Sequence, residues 1–230
     1  MKKNSTLKFY FLIALILFLT VIGMAQCPVG YTQAQLNWDN LDFLPSNNAR
    51  YSPFYPTAAF PYNQNFTIGP RTVNFTMAPA ANITLNGENG TNTAHTGSFA
   101  TAGDDVQFTT TVITNSTLTM TFDMNVANVQ FSLFDLDVNQ RVNITATNAL
   151  GVAQNITMVR TNVGSAIVIA GSASNSATAT GPATDYASTN NFSTINISVA
   201  GPVSRIVVTM SNAAGDIWLG DIDADRKSVV

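Results

Sequence analysis

The stretch Leu118-Thr119-Met120-Thr121-Phe122-Asp123-Met124 sets Leu118, Met120, Phe122 and Met124 on one side of an extended chain, with Thr117, Thr119, Thr121 and Asp123 on the other. Side chains of a β-strand alternate with a period of two, so this is the pattern of a strand buried on one face. The same alternation recurs in Val73-Asn74-Phe75-Thr76-Met77 and Ile83-Thr84-Leu85. Further strands are predicted over 106–113, 129–136, 142–147, 156–160, 167–170, 195–199, 206–210 and 217–222, with Asn115-Ser116 as a hairpin signal. About eleven or twelve strands without an amphipathic helix predict an all-β chain, an antiparallel two-sheet sandwich of jelly-roll type. An up-and-down barrel is the alternative. An outer-membrane barrel is disfavoured, because lipid-facing alternating strands of about 10 residues and aromatic girdles are not evident.

Composition narrows the chemistry. Of 230 residues only 10% are charged while 46% are hydrophobic, so Asn, Thr and Ser must supply most of the polar surface. Three of the ten basic residues, Lys2, Lys3 and Lys8, lie at the extreme N-terminus, and the remainder carries seven bases against thirteen acids. Nucleic acid is therefore not an expected partner. One Cys and one His exclude a disulfide framework and a multi-histidine metal site.

The three lysines precede an apolar run over 9–22, and Gly23-Met24-Ala25 then offers small residues at a cleavage site. This reads as a secretory signal peptide over 1–25 and predicts a secreted or cell-surface protein that does not span the membrane after cleavage. Gln26 before Cys27 argues against a lipid anchor. Residues 26–62 are rich in aromatics and prolines and read as an N-terminal arm, followed by the β-sandwich domain over 63–230. Trp38, Tyr51, Tyr55 and Tyr62 in that arm are candidate stacking residues for sugar rings, although an arm that caps the sandwich is favoured for the segment as a whole. The small-residue stretch 171–191, with Tyr186 its one aromatic, reads as a long loop that is surface filler or grips a ligand. Nine Asn-x-Ser/Thr sequons after the leader are read as composition.

An acidic echo is the most informative feature. Leu133-Phe134-Asp135-Leu136-Asp137 with Asn139 and Arg141 is matched by Leu219-Gly220-Asp221-Ile222-Asp223 with Asp225 and Arg226. Period-two placement continues each apolar row into carboxylates at the rim of the core, where an unpaired charge costs several kcal/mol. Two alternative partners can neutralise them. One is a structural Ca²⁺ ion held by Asp135, Asp137, Asn139, Asp221 and Asp223; the other is the following arginine, pairing Asp137 with Arg141 and Asp223 with Arg226. The Gly and distal Glu of an EF-hand loop are absent.

Catalytic sets are weakly represented. Glu88 is the single glutamate, the Asp pairs sit too regularly at strand ends for an acid facing a nucleophile, and His95 has no Gly-x-Ser-x-Gly context. A hydrolase or lyase using Tyr, Arg and Asp is the alternative to a binding module. The runs Leu118 to Asp137, Arg141-Val142-Asn143-Ile144-Thr145-Ala146, and Ile206-Val207-Val208-Thr209-Met210 to Asp216-Ile217-Trp218-Leu219-Gly220-Asp221-Ile222 resemble jelly-roll domains of secreted and surface proteins of Bacteroidetes-type bacteria. That resemblance covers about the last half of the chain. It implies an exported, adhesin-like module, commonly part of a larger protein ahead of a sorting domain; here the sequence stops at Val230 without one, as a truncated reading frame would. The expectation is thus a non-enzymatic binding or adhesion module whose partner is a glycan or cell-surface material.

Overall fold

The computed structural model describes residues 31–38, 63–79, 83–88, 105–110, 115–187 and 190–227. They form an all-β chain of antiparallel strands: β1 Tyr31–Leu36, β2 Asn63–Ile68, β3 Arg71–Ala78, β4 Ile83–Glu88, β5 Val106–Thr110, β6 Ser116–Phe134, β7 Arg141–Thr147, β8 Ile156–Arg160, β9 Val168–Ala170, β10 Ser176–Thr180, β11 Ile195–Val199, β12 Val203–Ser211, β13 Gly215–Leu219 and β14 Ile222–Lys227. A 3₁₀ turn, Asn191–Ser193, precedes β11. Among the described residues no helix is long and apolar enough to cross a membrane.

The architecture turns on β6. Its first half pairs with β3 on one side and β12 on the other, extending to β2 and, through β7 and β10, to β9. Its second half pairs with β11, which carries β8, and with β14, which carries β1; its last residues pair with β13, followed by β5 and β4. One strand of 19 residues thus serves two wings. It does so by changing parity. Leu118, Met120 and Phe122 are buried in the first half, whereas Val129, Phe131 and Leu133 are buried in the second. Between them Val126 and Ala127 are both buried and Asn128 adopts φ 46°. A residue in the left-handed region interrupts the pleat and swings the strand, so that the two halves of β6 bury opposite faces within one hydrogen-bonded sheet.

Apolar rows run across each wing. Met77, Leu118, Val208, Ile144 and Ala177 are successive register partners, as are Met158, Ile197 and Phe131. Both wings contribute to one apolar cluster. Burying each large side chain there is worth about 1.5–3 kcal/mol. Trp38, Phe66 and Phe75 add an edge-to-face trio with ring centroids 5.3, 5.9 and 5.0 Å apart.

Several expectations are corrected. The strands predicted at 118–124 and 129–136 are one continuous element, because β6 bends rather than stops, and Met124 at the bend is only half-buried. Asn115-Ser116 is not a hairpin turn, since β13 lies between β5 and β6. The strand predicted at 217–222 divides at Gly220-Asp221 into β13 and β14. The loop predicted at 171–191 contains β10, whose inward Ala177 and Ala179 are fully buried against β7. With alanines as its buried residues, this strand has no bulky apolar signature in the sequence. Residues 31–36 of the predicted arm are likewise a strand, paired with β14. The leader over 1–25 and most of the arm, with Tyr51, Tyr55 and Tyr62, lie outside the described residues.

Candidate functional site: the acidic and aromatic end of β6

The two halves of the acidic echo do meet, but only at their leucines. Leu133 pairs with Leu219 and Phe134 with Trp218, antiparallel. From that pair the chains run in opposite directions, Asp135 past the end of β6 and Gly220 back toward Ser132, whose carbonyl accepts the Gly220 N–H at 3.1 Å. At about 3.3 Å per residue, roughly four residues of strand, or about 13 Å, separate Asp135 from Asp221. The expected single site of Asp135, Asp137, Asn139, Asp221 and Asp223 is therefore not assembled, and among the described residues no three His, Cys, Asp or Glu side chains converge to hold a metal ion. Antiparallel pairing of the two motifs points their carboxylates apart.

At the β6 end, Asp135 takes φ 62°, which ends the alternation; Leu136 turns into the core with no exposed surface, and Asp137 is buried behind it. Val138 and Asn139 also have positive φ, 48° and 61°. A β-branched residue in that region is strained, and such strain is held by surrounding contacts. Those contacts are visible. The Leu136 N–H donates to the Ser193 carbonyl at 3.0 Å, Asn139 N–H to Pro182 at 2.9 Å, and Gly181 N–H to Gln140 at 2.8 Å. Gly181 lies so close that a Cβ there would collide with the Leu136 carbonyl oxygen. Buried Gln140 donates its side-chain N–H to the Asp216 carbonyl at 3.1 Å. The turn after β6, the 181–187 segment, the 3₁₀ turn and the start of β13 thus form one edge.

Four carboxylates gather there. Burial, then Asp137, Asp216 and Asp185, push Asp135 from 3.8 up to about 7. Asp137 is also raised by burial; the Tyr186 N–H, donating to its Oδ2 at 2.6 Å, pulls the other way, and Asp185 adds to the rise. The cation expected beside Asp137 is not its neighbour: Arg141 is exposed, and the group that favours the ionised form is a backbone amide. Thr109 donates to Asp216 Oδ1 at 2.5 Å. Asn139 is exposed at the turn. Tyr186 stacks on Phe192 with centroids 5.7 Å apart and planes at 18°, both rings half-buried. Sequence reasoning marked Tyr186 as the one aromatic of a loop that is filler or grips a ligand, but not Phe192, which follows that stretch and supplies the stacking partner.

At the other end the same motif is tied into the fold. Buried Asp221 accepts the Trp38 N–H at 2.9 Å, and the Trp38 indole N–H donates to the Gly220 carbonyl at 3.0 Å. Asp223 faces Gln35 across β14 and β1; burial raises its pKa and a hydrogen bond from Gln35 opposes the rise. Asp225 accepts from the Asn128 side chain at 2.6 Å. Trp38, a candidate stacking residue, has no exposed surface, so its ring is a core element and offers no face to a sugar.

No protein-family model matches the chain, and no curated protein does. Among solved structures it is similar to the enzymatically active domain of tailspike protein 4 of bacteriophage CBA120, at 9% identity and a TM-score of 0.29, covering 86% of this chain and 19% of that one. So remote a likeness assigns neither fold nor activity.

Proposed function

We propose that the chain is an exported, non-enzymatic binding or adhesion module, a sandwich of jelly-roll type like the Bacteroidetes-type surface domains it resembles, and that it holds glycan or cell-surface material at the β6 end. One observation supports this most directly: the Tyr186–Phe192 stack is joined to Asp137 through the Tyr186 amide. An aromatic face takes the C–H side of a pyranose. Adjacent carboxyls take its hydroxyls, and Asp135, near 7, serves as donor when protonated and acceptor when ionised. The reading moves the sugar platform from the N-terminal arm to the 181–193 segment.

Calcium fits this edge in part. Hard oxygens and excess negative charge suit the ion, yet with no three carboxylates converging it would draw most of its about six to eight oxygens from backbone, water or glycan hydroxyls. Thermal melting with Ca²⁺ and with EDTA tests it: a ligand confined to the native state must raise the melting temperature.

The decisive experiment is retention of the purified protein on a glycan array and on insoluble polysaccharides. Binding is expected to fall in Tyr186→Ala with the fold intact, and absence of retention on every glycan and cell-wall material overturns the reading. A second reading has one observation of its own, an Asp135 raised to about 7 beside Asp137, because a carboxyl poised near neutral pH performs acid–base work in hydrolases and lyases. Product release from a polysaccharide, abolished by Asp135→Asn, would establish that reading instead.

A further inference from the structure

β8 and β9 are edge strands, one in each wing, each paired on one side to a named strand. Between them lies a cavity of about 530 Å³ lined by residues 158–160 and 166–169, a size ordinary for small-molecule sites. Arg160 is the one polar side chain among the lining residues, and the lining surface as a whole is about as polar as it is apolar. Val159 and Val168 on its walls are 54% and 65% exposed, and Val163 on the connecting turn is 95% exposed. Grouped apolar side chains left in water mark an interaction surface.

Arg160 supplies the polar element. Its Nη1 donates to the carbonyls of Ser165 at 2.9 Å and Ile167 at 3.4 Å, which braces the guanidinium across the cavity. Nη2 and Nε have no acceptor among the described residues, and no acidic side chain there pairs with the group. In a chain with more acids than bases, an arginine left without a carboxylate beside exposed valines in an open groove is complementary to an anion from outside.

The β8 edge itself is closed to strand addition. Met158 N–H donates to Ser172 Oγ at 3.0 Å and that hydroxyl donates back to the Met158 carbonyl at 3.0 Å. Ile156 exchanges backbone hydrogen bonds with Ser174 and Ala173. An occupant is thus recognised by apolar body and charge rather than by main-chain pairing.

We propose that this open groove binds a small amphiphilic carboxylate, its alkyl chain against the exposed Val159, Ala166 and Val168 and its carboxylate on the open donors of Arg160. The site is independent of the glycan reading and stands or falls without it.

Titration of the full protein with octanoate and with octanol, followed by backbone amide shifts of residues 158–169, tests the proposal. Saturable binding of octanoate is expected with a dissociation constant below about 1 mM. Octanol should bind more weakly, and Arg160→Met should weaken octanoate by about tenfold or more while leaving octanol unchanged. Because Arg160 also braces two carbonyls, Ala166→Phe provides a second variant: Ala166 is exposed, so the new ring fills the cavity without entering the core and should abolish octanoate binding. No saturable shift with octanoate, or equal affinities for acid and alcohol that survive both substitutions, overturns the proposal.

Discussion

The segments 133–137 and 219–223 carry nearly the same residues in the same order, yet the molecule treats them in opposite ways. Asp221 caps the Trp38 amide, Asp223 lies beside Gln35, and Asp225 holds the Asn128 side chain at the bend of β6. Asp135, by contrast, has its pKa lifted to about 7 by burial and by the charges of Asp137, Asp216 and Asp185. One copy of the motif supports the fold; the other concentrates charge at an edge next to an aromatic stack. A carboxylate at a strand end is thus structural or available for binding according to the donors that neighbouring strands bring to it.

The contrast is breakable by substitution. Trp38→Ala should show the largest effect, about 3–5 kcal/mol of unfolding free energy lost, because it empties a fully buried site and orphans the Gly220 carbonyl. Urea denaturation checks this, and a loss under about 1 kcal/mol would mean that β1 is not integral to the structural end. Asp225→Ala should cost about 1–3 kcal/mol by leaving the Asn128 amide without its acceptor where β6 changes parity.

Asp135→Asn should have the opposite sign. Because the native pKa is raised from 3.8 to about 7, the folded chain retains a proton that the unfolded chain releases in that window, so stability declines as pH rises through it and is flat above. Asn cannot ionise, so the variant loses that decline and gains stability at alkaline pH. With the carboxyl only partly buried, the gain is about 1 kcal/mol, read from melting temperatures of both proteins across the window. An undiminished decline in the variant would show that Asp137 and Asp223, raised in the same direction, dominate the pH response. Tyr186→Ala should have the smallest effect on stability, about 0.5–1.5 kcal/mol from the lost half-buried stack, while carrying the largest loss of glycan retention.

Much of the fold was legible wherever large apolar residues alternate. Val73, Phe75 and Met77, or Ile195, Ile197 and Val199, each announce a strand and its buried face. Legibility failed where the buried residue is small, as at Ala177 and Ala179, and where a continuous strand changes face, as at Asn128. The candidate site was half legible: Asp135 and Asp137 stand out in sequence, but Asp185, Asp216, Tyr186 and Phe192 reach that edge from segments far along the chain.

Local sequence by itself determined that the chain is built of strands, which face of most of them is apolar, and that two acidic pairs follow two leucines. Whether those pairs would meet depended on strand pairing. Once Leu133 and Leu219 align antiparallel, chain direction alone sends the carboxylates to opposite ends, and hydrogen-bond donors distant in sequence then decide which pair is neutralised. Pairing is a property of contacts between segments, set by the packing of a shared core, and no period within one segment encodes it.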